Sequence, residues 1–558
     1  MLDIKTYHCN IDNSTLLQYD INMENSELKI KTFKKPLRIF EKSGTVIPEN
    51  SYYVFLEGVV NTDGQDIKTM IDRGRYFSMF AARQSGKTTF LESTRRQLHL
   101  DKTYIVILLS FQKYKNVEKE IFYSLVQDDI YTQLSRRLKE IGCDKLDSVS
   151  GFLEKHRIKD HISFTVLFEE LNRILLFKKI VILIDEFDGI PQNELENFLS
   201  SLRDLYLKYK SEKQKALYSV GLIGIRNIAK LVVGGVSPFN IADHVKLPPF
   251  SLQNVRDLYA QYTEETNQPF TEEAVKKIYE ETAGQPWLVN RLGTILTVDV
   301  KPGTIDPIDT TDVEKAIRIL LFERNDHFDN LLEKVKLYKE TFVEIVFDGV
   351  EYDPNDANHS WLEQYGLIKN RDEHAVVSNN IYKNRFLKTF FKEVSASVDP
   401  QVRKYILPGD RLNIEKILSD FSRYIGQIGA KAFYQKENPY ERTGQFLLTA
   451  WLYQFVKDGE GELRYEVPSG LGRMDILLVY KGTRYIIETK VKRFESLETL
   501  LKEGVEQVSG SYLQPENVEE GYLVIFDIKT RVGNEFQPRY FPVGTRRITA
   551  VVIGIGKR

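Results

Sequence analysis

The chain has 558 residues, room for several domains at roughly 100–200 residues each. Hydrophobic residues make up 42% and charged residues 28%, and 77 Lys or Arg against 79 Asp or Glu leave a net charge of −2. That balance excludes a wholly basic nucleic-acid coat or a polybasic membrane binder and leaves a local basic groove open. Cys9 and Cys143 are too few for a disulfide framework or a Cys-rich zinc site. The opening MLDIKTYHCNIDNS has no basic-then-apolar signal pattern. No apolar run reaches the roughly 18 residues a membrane helix needs. A cytoplasmic, multidomain, soluble protein without membrane association is expected.

In chain order, residues 1–73 are short, mixed and polar and read as an irregular lead-in. Residues 74–250 alternate strand-like runs with amphipathic stretches. The runs are RYFSMFA (75–81), TYIVILLSF (103–111), KIVILIDEF (179–187), LYSVGLIGI (217–225) and a weaker VKLPPF (245–250). Several are continuously apolar, as strands covered on both faces must be, so a parallel sheet with covering helices is predicted. Residues 251–305 read as a helical lid, with Thr271 as an N-cap and Gly284 suited to a helix C-terminus. Residues 306–398 give helices and then WLEQYGLIKNRDEHAVVSNNIYKNRFL (361–387), the grammar of a winged helix. Pro400 and Pro408-Gly409-Asp410 mark a joint, and 399–558 switch to a mixed α/β pattern with its own core.

The strand RYFSMFA runs into AARQSGKTT and then a helix, FLESTRRQLHL. This fits the phosphate-loop pattern G-x-x-x-x-G-K-[ST], with Ala81 in place of the first glycine. Ser85, Gly86, Lys87, Thr88 and Thr89 would form the loop, whose backbone amides cradle phosphates at a helix N-terminus. Lys87 would neutralise the outer phosphates of ATP, and the Thr88 hydroxyl would ligate Mg²⁺. A later strand, KKIVILIDEFD, delivers Asp185 and Glu186 at its carboxyl end, where open α/β sheets bind ligands. Asp185 would hold the Mg²⁺ through water and Glu186 would polarise the attacking water. The next strand ends at Arg226, which either reports on the γ-phosphate or is a solvated loop residue. Gly284-Gln285-Pro286 opens a lid helix that could approach the nucleotide.

A second constellation is SGLGRMDILLVYKGTRYIIETKVKR (469–493). Glu488 and Lys490 lie two apart on one strand and share a face. Lys481-Gly482 reads as a two-residue turn. Counting back from it sets Asp475 opposite Glu488, in a strand pair whose Cβ atoms lie about 4.5–5.5 Å apart. Two carboxylates there repel, and burial worsens the conflict. A divalent cation would remove it, and Lys490 could orient a water or stabilise developing charge. The surrounding order is helix, three strands, helix, strand.

At this point the chain resembles bacterial and archaeal AAA-like ATPases fused to a C-terminal nuclease-like domain of the PD-(D/E)XK superfamily. The resemblance is carried by SGTVIPENSYYV (43–54), RGRYFSMFAARQSGKTT (73–89), ILIDEFD (182–188) and LIGIRN (222–227). In the C-terminal part it is carried by GRMDILLVY (472–480), RYIIETKVKR (484–493), EGVEQVSGSYL (503–513) and EGYLVIFD (520–527). It implies an α/β fold: a P-loop parallel-sheet ATPase with helical lid and winged helix, plus a mixed α/β restriction-endonuclease-like domain. It further implies Asp475 and Glu488 as Mg²⁺ ligands, Lys490 as catalytic lysine and Gln507 as an assisting residue, with Tyr512 nearby. Glu441 is the nearest candidate for a further acidic ligand.

The expected function is ATP binding and hydrolysis coupled to metal-dependent cleavage of nucleic acid, DNA ahead of RNA, with defence against foreign DNA suggested by the resemblance alone. Seven Lys or Arg against one Glu in the last thirty residues give a basic margin for phosphate. Assembly into a homo-oligomer through the ATPase domain is left open. The competing expectation is a regulatory ATPase switch whose C-terminal domain binds nucleic acid without cutting it. A DNA-binding regulator reading through the winged helix is a third, although residues 361–387 are not notably basic.

Overall fold

The computed structural model describes residues 32–212, 217–225, 240–348, 350–395, 402–428, 441–456, 461–469, 472–513 and 518–556. Two compact units emerge. The first runs to Leu331 and takes in Ser360–Leu367 and Ser378–Ile381. The second holds Leu332–His359, Ile368–Val377 and the chain from Tyr382. The two units are interleaved in sequence between Leu332 and Ile381.

The first unit is built on five strands: β1 (Phe77–Phe80), β2 (Tyr104–Ser110), β3 (Lys179–Asp185), β4 (Ser219–Gly224) and β5 (Asp243–Val245). They lie in the order β2-β3-β4-β1-β5, and every pair is parallel. The apolar runs explain it. Ile105, Ile107, Ile180, Ile182, Ile184, Val220 and Leu222 are all buried, with helices covering both faces. The β1 strand sits between β4 and β5, so the loop that follows it opens at the carboxyl edge beside the end of β3. The fifth strand differs from expectation. It is Asp243–Val245, and residues 246–250 of VKLPPF form no strand. Its position is held by Arg75, whose Nε and Nη2 reach the two carboxylate oxygens of Asp243 at 2.5 and 2.6 Å.

The lid is three helices, Leu252–Thr266, Glu272–Thr282 and Pro286–Thr294, followed by a π-helical turn Ile295–Val300. The Thr271 side chain accepts from Ala274 N at 3.1 Å, which caps the second. Gly284 has φ 71°, and a Cβ there would lie 1.9 Å from the carbonyl oxygen of Phe250, so only glycine fits.

The lead-in is not irregular filler in its described part. Phe40 and Tyr52 pack with Tyr259 and Tyr262 of the lid, ring centroids 4.7–5.9 Å apart. Trp287 Nε1 donates to Lys42 O at 2.9 Å, and Gln261 Nε2 donates to Tyr53 O at 2.8 Å. The aromatic residues of this segment have no helical or strand period, and so gave no pattern in sequence.

Beyond the lid come the helix Ala357–Gln364, β6 (Ile368–Arg371), a turn with positive φ at Asp372 and Glu373, β7 (His374–Val377) and the helix Asn380–Ser395. This is the helix, strand, turn, strand, helix order expected of 361–387. Pro400 lies outside the described residues. Pro408-Gly409-Asp410 turns a small hairpin between β8 (Ile406–Leu407) and β9 (Arg411–Leu412) within the second unit, and is not a joint between units.

The second unit's main sheet has six strands: β10 (Gly461–Ser469), β11 (Gly472–Tyr480), β12 (Thr483–Lys492), β13 (Glu520–Arg531), β14 (Arg539–Val543) and β15 (Arg546–Gly556). Their order is β10-β11-β12-β13-β15-β14. Pairings are antiparallel through β12, parallel from β12 to β13 and β13 to β15, and antiparallel at the β14 edge. Residues 539–556 are therefore structural strands. The basic margin expected there is partly spent: Arg539 pairs with Glu498 at 3.1 Å and Arg547 with Glu520 at 3.1 Å, and Lys557 and Arg558 lie outside the described residues. Among the described residues no helix is long and apolar enough to cross a membrane.

Candidate functional site

Between β1 and the helix Lys87–His99 the chain makes a tight loop. Gln84 has φ 61° and Gly86, the N-cap of the helix, φ 88°. Positive φ at Gly86 turns the chain so that the first helical amides point out of the helix end with no intrahelical partner. Lys87 is buried, and its Nζ donates to Ala81 O at 2.7 Å and Ala82 O at 2.6 Å. Burial lowers its pKa to about 8, against the opposing pull of Asp185, Asp188 and Glu186. Thr88 Oγ1 donates to Asp185 Oδ2 at 2.6 Å, joining the loop to the end of β3. The hydroxyl and the carboxylate, adjacent and oxygen-only, suit a hard cation such as Mg²⁺. Ser85 Oγ is buried without a protein partner. Thr89 Oγ1 accepts from Val46 N at 3.1 Å, tying the loop helix to the N-terminal segment.

Glu186 follows at φ 49°, a left-handed conformation unusual for glutamate and of the strained kind that collects at functional sites. The bend lets Glu186 N donate to Asp185 Oδ1 at 2.8 Å. Its Oε2 is buried without a partner. Burial and then the Asp185 charge raise its pKa, which suits a group that takes a proton. Gln285 Nε2 of the lid donates to Gln84 O at 3.0 Å, so the helix opened by Gly284-Gln285-Pro286 does touch the loop. Arg226 lies outside the described residues.

In the second unit, Lys481 and Gly482 turn the β11–β12 hairpin with φ 44° and 85°. The ladder runs from Tyr480–Thr483 to Ile476–Ile487, the register expected from a two-residue turn. It stops there, one step short of Asp475. The Asp475 carboxylate takes over instead: its Oδ2 accepts from Thr489 N at 2.7 Å and Thr489 Oγ1 at 2.6 Å. Glu488 is 2% exposed, and Lys490 Nζ stands 3.3 Å from its Oε1 while Oε2 is buried without a partner. Burial first, and the Asp475 charge second, push the Glu488 pKa up to about 8. The orphaned oxygen and the neighbouring carboxylate fit a divalent cation or a shared proton. Gln507 Nε2 donates to the Tyr512 hydroxyl at 2.6 Å, and Tyr512 lies within the field of Glu488 and Asp475. Among the described residues no group of three or more His, Cys, Asp or Glu forms a metal cluster. Nothing is described of the Glu441 side chain.

A family model described as "AAA-like domain" matches residues 42–388, more than half of the chain. The chain belongs to the AAA-like domain family. Residues 412–530 match a second model, "Domain of unknown function (DUF8371)". No curated protein sequence matches. Among solved structures, the Walker-type ATPase PABY2304 of Pyrococcus abyssi is similar over 59% of this chain and 98% of its own, at 12% identity and TM-score 0.40. The RuvB Holliday junction branch migration motor of Thermotoga maritima is similar over 57% and 90%, at 14% identity and TM-score 0.29. Cdc6p of Pyrobaculum aerophilum is similar over 56% and 85%, at 12% identity and TM-score 0.31.

The AAA-like family supports a P-loop ATPase. The family model begins at residue 42, so part of the N-terminal segment packed on the lid lies within it. Sequence reasoning passed over two residues that hold these sites. Asp188 accepts from Ile225 N at 2.6 Å, clamping the turn after β3 to the end of β4. Thr489 anchors Asp475. Asp188 was visible as the third acid of Asp185-Glu186-Phe187-Asp188, but Thr489 gave no signal beyond being the small residue between Glu488 and Lys490.

Proposed function

We propose that the chain hydrolyses ATP at the loop site and uses nucleotide state to control metal-dependent cleavage of nucleic acid, DNA ahead of RNA, at the β11–β12 hairpin. At the first site, phosphate oxygens would take the Lys87 ammonium from the Ala81 and Ala82 carbonyls and the free amides of the helix end would complete their shell. Mg²⁺, when bound by Thr88 and Asp185, supplies charge neutralisation between the phosphates. Glu186, with its proton affinity raised and one oxygen free, accepts the proton of the attacking water. Ser85 and Thr89 would add hydroxyl contacts to the phosphates, and Arg226 a contact to the γ-phosphate.

The observation that carries the second activity is the buried Glu488 Oε2 without a protein partner beside Asp475, with Lys490 3.3 Å from the other oxygen. A buried carboxylate of this kind is costly in a purely structural hairpin. A divalent cation held by Asp475 and Glu488 supplies a polarised phosphate oxygen and an activated water. Lys490 would stabilise charge on the scissile phosphate, and Gln507, fixed by Tyr512, would orient the water. The test is cleavage of mixed DNA and RNA by the full chain in Mg²⁺ or Mn²⁺, with and without ATP. Loss of cleavage in Asp475→Ala and Lys490→Ala, with ATP turnover retained, is expected. Undiminished cleavage by both variants sinks the nuclease assignment.

The alternative, a regulatory ATPase whose C-terminal domain binds nucleic acid without cutting it, is favoured by one observation: only two carboxylates meet at the hairpin among the described residues. Retention of nucleic acid with no cleavage under any nucleotide or metal condition would select it.

A further inference from the structure

Behind the phosphate loop lies a cavity walled by Val46 and Leu56 of the N-terminal segment, Phe90 of the loop helix, and Phe250, Leu258 and Pro286 at the lid. Gly86 and Thr89 of the loop also line it. It is an apolar slot of about 50 Å³ with few polar groups in it, next to the phosphate cradle; a purine base would enter it with side-chain rotamer changes that widen it, as are common on binding. Two of its polar side chains are engaged: Thr89 Oγ1 accepts from Val46 N, and the Tyr53 hydroxyl donates to Ser93 Oγ at 2.9 Å. The Tyr52 hydroxyl, a donor beside the Glu265 carboxylate, has no hydrogen-bond partner.

Asn290 supplies the unmet acceptor. It lines the cavity, is 5% exposed, and its Nδ2 donates to Pro286 O at 2.9 Å, one turn back on the same helix. A peptide carbonyl only accepts, so that bond fixes which end of the amide is nitrogen. The other end, Oδ1, is buried with no protein partner. Native proteins rarely leave such an acceptor unmet, and a carbonyl oxygen in an apolar slot calls for a ligand N–H.

We propose that Asn290 is the base-reading residue of the nucleotide site, its Oδ1 accepting from the exocyclic amine of a 6-aminopurine; this rests on the ATP-binding reading above. A 6-oxopurine sets an acceptor against that acceptor, and a purine without a 6-substituent leaves it unmet. Both are penalised, because rejection is strongest where a buried polar group loses its partner.

The experiment is calorimetric titration of the full chain with ATP, inosine 5′-triphosphate and purine riboside 5′-triphosphate. The wild type is expected to bind ATP about tenfold or more tightly than either analogue. In Asn290→Ala the three affinities should converge to within about threefold, with the melting temperature recorded to confirm folding. Equal wild-type affinity for ATP and purine riboside 5′-triphosphate overturns the inference, and needs no variant. Lys87→Ala is titrated alongside: if it bound all three ligands as tightly as the wild type, the loop itself would not be the phosphate site, which is a separate result.

Discussion

The phosphate loop and the carboxylate hairpin solve opposite electrostatic problems. In the loop the buried cation is already satisfied, the Lys87 ammonium resting on the Ala81 and Ala82 carbonyls, while Glu186 nearby keeps one oxygen without a partner. In the hairpin the buried group is a carboxyl, and it is not satisfied: Glu488 keeps one oxygen without a partner. The first site is prepared for exchange, in which a ligand's oxygens replace those of the protein. The second is prepared for addition, in which a cation or proton joins a group that lacks one. The difference teaches that a resting site can be poised either by a replaceable partner or by a missing one.

The contrast can be broken most severely at Lys87. Lys87→Ala should weaken ATP binding by about a hundredfold or more, since a charge-assisted contact to phosphate is removed from a buried place. Equilibrium titration with ATP measures it, and unchanged affinity would end the exchange picture. Next is Glu186→Gln, which should hold ATP within about threefold of wild type while turnover falls about a hundredfold, as expected when a general base is lost. Phosphate release under saturating ATP gives the number.

At the hairpin the expected effect is smaller and depends on pH. Glu488 has a folded pKa of about 8, above the value of about 4.3 for an exposed glutamate. Between those values the folded chain holds a proton that the unfolded chain has released. Stability without metal is therefore full below about pH 4 and falls as pH climbs toward 8. Glu488→Gln should remove that fall and exceed the wild type at pH 8 by about 1–3 kcal/mol. Urea unfolding of both proteins in chelator, at pH 6 and pH 8, compares them. A wild type that gained on the variant with rising pH would contradict a buried protonated acid. The smallest effect is at Gln285. Its single neutral hydrogen bond to Gln84 O is worth about 0.5–1.5 kcal/mol, so Gln285→Ala should weaken ATP binding roughly threefold in the same titration.

How much was legible in the sequence follows from what each element buries. Strands β1 to β4 are covered on both faces and so read as unbroken apolar runs, and their boundaries fell within about two residues of the expected runs. The three-residue β5 pairs with β1 and carries the Arg75–Asp243 ion pair, long-range contacts that no local pattern announces. The β11–β12 register was readable because a two-residue turn fixes it. What stopped the ladder at Ile476 was not readable, because it depends on a carboxylate accepting a backbone amide. The packing role of the N-terminal segment was not readable for a related reason. Its buried aromatic residues answer to the lid some two hundred residues later, and an irregular segment has no period to display.

Gly284 and the aromatic contacts of Phe40 and Tyr52 carry one more consequence, for cooperativity. The lid is held from below by the Phe250 carbonyl in close contact with Gly284, and from the side by a segment that precedes the first strand. The earliest described stretch of the first unit and its lid helices therefore share one buried cluster, with the whole sheet strung between them in the chain. Opening the lid and freeing the N-terminal segment should be one event and not two.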